Sequence, residues 1–84
     1  MMDKMNIKIV CFAGLRKYFG SEATVNLESG ATYSKVIDEL IDLKPDAKQI
    51  LTSSRIAVNE EFVPLNERIK AENTLFLIPP SSGG

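Results

Sequence analysis

The stretch NIKIVCF, residues 6–12, decides how this chain is read. Its side chains alternate with a period of two, so Ile7, Ile9 and Cys11 share one face and Lys8, Val10 and Phe12 the other. The β-branched content makes it a strand. Ala13-Gly14 breaks it, and LRKYFG (15–20) reads as a short one-turn or irregular segment closing at Gly20. Residues 23–28 repeat the pattern, with Ala23, Val25 and Leu27 on one face and Thr24, Asn26 and Glu28 on the other. Such alternation marks a sheet covered on one side only.

The cover comes next. Ser29-Gly30 turns the chain, Thr32 is the expected N-cap, and YSKVIDELIDL (33–43) places Tyr33, Val36, Ile37, Leu40 and Ile41 on one helical stripe. Pro45 ends or kinks that helix, and DAKQIL (46–51) suggests a short second helical piece. A third strand spans 54–59 with Ile56 and Val58, and Asn59-Glu60 turns the chain. EFVPL (61–65) returns as a short edge strand, because Pro64 has no N–H for a ladder. NERIKAENT (66–74) is a connector with turn chemistry near Asn73, and the last strand, 74–78, stops at Pro79-Pro80. The pattern is an α+β roll: a mixed sheet of four to five strands with one main helix, in a single domain over 1–84. Placing the first and last strands side by side in parallel at the sheet centre gives a β-grasp, ubiquitin-like roll. The alternation permits that order without selecting it.

Composition removes several functions. The 84 residues are 44% hydrophobic and 25% charged, with ten Lys+Arg against eleven Asp+Glu, so no basic excess is available for nucleic acid. Histidine is absent and Cys11 is the single cysteine, which excludes most metal sites, Ser-His and Cys-His catalysis, and an internal disulfide. Cys11 shares its face with Ile7 and Ile9 and reads as a core residue, not a sulfur-bearing thiol. No targeting signal or membrane-length apolar run is visible, so the expectation is a soluble, cytoplasmic protein without membrane contact.

FLIPPSSGG (76–84) carries the chemistry. Pro79-Pro80 stops the last strand and stiffens the exit toward polyproline II, projecting the terminal residues away from the body. Gly83-Gly84 has no side chains and can pass a channel too narrow for any other residue. The reactive group at such an end is the α-carboxylate of Gly84, an electrophile only after activation, for instance as an acyl adenylate. The residues alone leave this reading open beside that of a merely flexible tail.

Three segments, IKIVCFAGLRKYFG (7–20), AVNEEFV (57–63) and FLIPPSSGG (76–84), resemble the small subunit of molybdopterin synthase, the MoaD family of ubiquitin-like sulfur carriers. The resemblance spans nearly the whole chain in order and spacing. It implies a β-grasp fold and a carrier whose Gly84 is adenylated and converted to a thiocarboxylate. It further implies an E1-like adenylating enzyme that uses ATP, a persulfide sulfur donor, and the synthase large subunit, into which residues Pro79, Pro80, Ser81, Ser82 and Gly83 thread the reacting end. No stably bound cofactor is implied, and the catalytic residues belong to the partners. Ser81-Ser82 departs from the Val or small residue followed by Ser, Thr or Ala seen in relatives, while staying small. Sibling carriers of the thiazole pathway, such as ThiS, and archaeal ubiquitin-like modifiers share the fold and the Gly-Gly end and stand as alternatives. ThiS is usually shorter and lacks the Pro-Pro.

On this fold Phe12 and Ile78 lie on the face away from the helix, with Phe62 on the neighbouring edge strand. Together they form either a partner-docking patch or a minor core. Arg16, in the family's Phe-Ala-x-Leu-Arg pattern, is either a partner contact for an acidic group or a plain surface arginine. Glu60-Glu61 reads as a solvated turn.

Overall fold

The computed structural model describes residues 3–70 and 74–80. Strand β1 (Lys4–Cys11) leads through a 3-10 turn (Ala13–Leu15) into helix α1 (Arg16–Phe19) and strand β2 (Glu22–Glu28). Next come helix α2 (Tyr33–Leu43), a second 3-10 turn (Pro45–Ala47) and helix α3 (Lys48–Thr52). Strands β3 (Arg55–Val58), β4 (Glu61–Val63) and β5 (Thr74–Ile78) complete one sheet in the order β2-β1-β5-β3-β4. β1 and β5 pair in parallel at the centre and the remaining pairs are antiparallel, which is the β-grasp order that alternation permitted and the resemblance implied.

The two faces separate as the alternation requires. Ile7, Ile9, Cys11, Leu75 and Leu77 are fully buried, and above them lie Tyr33, Val36, Ile37 and Leu40 of α2, with Ile41 half-buried beside them. Leu15, Ala47, Leu51 and Ile69 close the ends of this core.

Element boundaries differ from the sequence expectation where hydrogen-bond partners override local signals. β1 starts at Lys4, not Asn6, because β2 reaches Glu28 and pairs with it. Phe12 falls just outside the strand; it keeps an extended backbone, and its carbonyl accepts the Leu15 N–H at 3.1 Å to start the 3-10 turn. Ser54 follows α3 and bonds back to it, its hydroxyl donating to the Ile50 carbonyl at 2.7 Å and its N–H to the Leu51 carbonyl at 3.1 Å, so β3 begins one residue later.

Thr32 occupies the N-cap of α2 but makes no side-chain cap. The Tyr33 and Ser34 N–H groups donate instead to the Glu67 and Leu65 carbonyls, at 3.0 and 2.8 Å, and the Thr32 hydroxyl pairs with that of Ser34. Packing of the connector onto the helix end thus satisfies donors that a side chain would otherwise take. The expected turn near Asn73 lies outside the described residues.

The β3–β4 hairpin turns through Asn59 and Glu60, both with positive φ (51° and 68°), the primed geometry whose twist matches the flanking strands. Asn tolerates that region; Glu occupies it at a cost of about 1 kcal/mol.

Candidate functional site

The uncovered face of the sheet is divided. On the β1–β2 side it is polar, with Lys8 and Glu22 3.9 Å apart. On the other side the registers align an apolar row: Phe62 opposite Ala57, Ala57 opposite Phe76, and Phe76 beside Val10. One step along, Ile78 faces Arg55, and Phe12 comes directly after Cys11, the partner of Leu77. Phe12, Ala57, Glu60, Phe62, Phe76 and Ile78 line an open depression of about 340 Å³. The Phe12 and Phe76 rings pack at 6.1 Å, tilted by 32°. Phe62 is 56% exposed, far more than a core side chain would tolerate, whereas Phe12, Phe76 and Ile78 are half-buried.

Two guanidiniums border this surface in different ways. Arg16 donates its Nε–H to the Cys11 carbonyl at 3.1 Å and lies 5.9 Å from the Phe12 ring centre. It therefore ties the end of β1 to α1 and props Phe12. The Arg55 guanidinium carbon lies 5.2 Å from the Phe62 ring centre.

The parallel pairing of β1 and β5 brings the chain's exit from the sheet to the same place. Phe12, Ala13, Gly14, Ile50, Ile78, Pro79 and Pro80 line a second apolar hollow of about 440 Å³. Ala13 turns here with φ 51°, and a Cβ on Gly14 would stand 3.2 Å from Ile50 Cδ1, so glycine lets this turn approach α3 closely. Pro80 also borders Tyr18, Asp46, Gln49, Ile50 and Ser53. Docking surface and chain exit share Phe12 and Ile78.

Three expected docking residues, Phe12, Phe62 and Ile78, thus converge on one depression, and Pro79 and Pro80 stand at its edge. Arg16 is exposed, with its Nε–H committed to the Cys11 carbonyl at the end of β1. Ser81, Ser82, Gly83 and Gly84 lie outside the described residues. Phe76, Ala57 and Arg55 escaped the sequence reading. Alternation in TLFLI (74–78) puts Phe76 on the same face as Ile78, so its signal was present. Arg55 joins through the register of β3 with β5, which sequence does not print.

Cys11 is fully buried, its Sγ 3.9 Å from the Ile9 carbonyl. Burial pushes its thiol up, against a smaller opposing pull from the Arg16 guanidinium. A protonated, inaccessible thiol is a core group. Among the described residues no cluster of three His, Cys, Asp or Glu side chains could hold a metal, and no helix is long and apolar enough to cross a membrane. The face offers apolar area and guanidiniums, which is the chemistry of recognition.

Known proteins bear on what is recognised. The ThiS family profile matches residues 9–84. The molybdopterin synthase sulfur carrier subunit of Arabidopsis thaliana is 32% identical over 83 residues, covering 98% of this chain and 86% of that protein. Among solved structures, SAMP1 from Haloferax volcanii superposes with a TM-score of 0.76 at 25% identity, covering 94% of this chain and 99% of that one. Similar too is a chain in the complex of subunits 1 and 2 of the molybdopterin-converting factor from Helicobacter pylori 26695. Its TM-score is 0.59 at 21% identity, covering 95% of this chain and all of that one.

Proposed function

The chain belongs to the ThiS family, and from that premise we propose that it is a sulfur carrier of molybdopterin biosynthesis, the small subunit of molybdopterin synthase. The observation that carries this reading is the adjacency of the apolar depression and the Pro79-Pro80 exit. A partner seated on Phe12, Phe62, Phe76 and Ile78 also lies beside Pro79-Pro80, where the chain leaves the sheet. The body supplies affinity and the tail supplies the reacting group.

In this reading an E1-like partner consumes ATP: a Gly84 carboxylate oxygen attacks the α-phosphorus and pyrophosphate leaves. A persulfide sulfur then attacks the acyl carbon and AMP leaves. A thiol cleaves the remaining S–S bond, and the chain is left with a terminal thiocarboxylate. Its sulfur goes to the pterin precursor in the active site of the large subunit. ATP belongs to the activating enzyme and no cofactor resides on this chain, whose reactions take place in the cytoplasm. The Helicobacter complex supports the large-subunit partner by likeness of fold.

The test is intact mass after incubation with the cognate E1-like enzyme, ATP and a persulfide donor. The full chain gains the mass difference of sulfur for oxygen, and a chain lacking Gly84 gains nothing. Sulfur acquisition by the truncated chain would refute the assignment. Likeness to SAMP1 favours a second reading, a protein modifier in which a lysine amine attacks the activated carbonyl. In the same assay that reading yields covalent conjugates in place of the thiocarboxylate.

A further inference from the structure

Charge on the aromatic half of the open face is placed unevenly. Arg55 opens β3 and Glu60 lies just past its end, so the two stand on opposite sides of the apolar row, at the two ends of a strand roughly 10 Å long at about 3.3 Å per residue. Arg55 is exposed, and among the described residues it has no carboxylate within 4.0 Å. Arg68 and several lysines share that lack of a carboxylate, and what distinguishes Arg55 is its place beside Phe62 and opposite Ile78 on the apolar face. The Phe62 ring lies 5.2 Å from the Arg55 guanidinium carbon, a cation–π contact that satisfies none of its five donors. A planar fork beside an aromatic ring, with all its donors open, suits a bidentate carboxylate.

We propose that Arg55 is the specificity-determining residue of docking: it takes a carboxylate presented by the large subunit of molybdopterin synthase, with Glu60 facing a basic group at the other end. The proposal rests on the docking reading above. Apolar contact is non-directional and cannot by itself decide which way the body seats on a partner. The two ends of this surface are not equivalent for function, since Ile78, paired with Arg55, leads directly into Pro79-Pro80. A body seated the wrong way round would aim the tail away from the partner's active site. A cation at the exit end and an anion at the turn end break that symmetry. Covering Arg55 with a neutral surface would leave a desolvated, unpaired charge, so a partner without the acid is rejected.

Binding of the full-length chain to the purified cognate large subunit tests this, measured at low and physiological salt with Arg55→Glu, Arg55→Gln, Arg55→Lys and Phe62→Ala. Arg55→Glu should weaken binding at least about tenfold, slow association and flatten its salt dependence. Arg55→Gln should fall between it and the parent. Arg55→Lys should keep the salt dependence and lose part of the affinity, because an ammonium cannot form the fork. Circular dichroism melts check the fold, and Arg55→Gln carries the comparison if the charge reversal melts early. If Phe62→Ala weakens binding while Arg55→Glu and Arg55→Gln stay within about twofold of the parent at both salts, the role of Arg55 is overturned and docking on this face stands. If Phe62→Ala also binds normally, the docking reading fails and this inference with it.

Discussion

Replacing Phe62 with alanine separates folding from function, because the side chain sits half in and half out of the protein. Its exposure is 56%, so of the roughly 200 Å² that a phenylalanine can bury, about 110 Å² is available to a partner. At about 25 cal/mol per Å² that area is worth about 2.8 kcal/mol when a partner covers it, close to a hundredfold in Kd. The part already covered bounds the loss of fold stability at about 2 kcal/mol, and relaxation of an edge strand should make it smaller. The measurements are urea unfolding of the free chain and calorimetric titration with the large subunit. Affinity should fall by about two orders of magnitude while the unfolding slope stays unchanged. A variant that unfolds with a loss above about 3 kcal/mol, or that binds within about threefold of the parent, would refute the reasoning.

Gly83→Val should melt like the parent and bind the E1-like enzyme with similar affinity, yet be adenylated far more slowly, since a side chain obstructs a narrow channel; an unchanged adenylation rate ends the threading account. Glu60→Gly removes a left-handed glutamate at φ 68° and should raise stability by about 0.5–1 kcal/mol in urea titrations while weakening docking. For Cys11, burial favours the neutral thiol, so its folded pKa lies above its unfolded value. The associated stability is complete below that pH and is lost as pH rises through the folded value. The difference in unfolding free energy between parent and Cys11→Ala should therefore narrow at alkaline pH, and native protein should resist thiol reagents. Rapid labelling at neutral pH would contradict this burial.

Local pattern made much of the molecule legible in advance. Ile7, Ile9 and Cys11 alternate with polar neighbours, and Val36, Ile37 and Leu40 recur at helical spacing, so core and cover could be paired before any coordinates. What escaped depends on distant residues. Thr32 looks like a capping residue from its neighbours alone, but the Leu65 and Glu67 carbonyls arrive from a remote loop and take the donors. Arg55 reads as an ordinary exposed cation until β3 pairs with β5 and sets it opposite Ile78. Phe76 alternates with Leu75 and Leu77, and that alternation alone assigns it to the open face.

The position of β5 has a consequence for the order in which the molecule assembles. Thr74 pairs with Lys8, some 66 positions earlier, so closing that loop costs roughly 3.7 kcal/mol of chain entropy before the contact returns anything. The β1–β2 and β3–β4 hairpins can form from near neighbours, but each leaves one inner edge without a partner until β5 slots between them. Leu75 and Leu77 enter the core in the same event. Folding should therefore be slower than for a helical bundle of this size, with a barrier set by insertion of β5. Leu77→Ala should accelerate unfolding or slow refolding according to how far insertion has advanced at the barrier top. The strand that delivers the tail is also the one that closes the fold, so Pro79-Pro80 takes up its position beside Phe12 only once the sheet is complete.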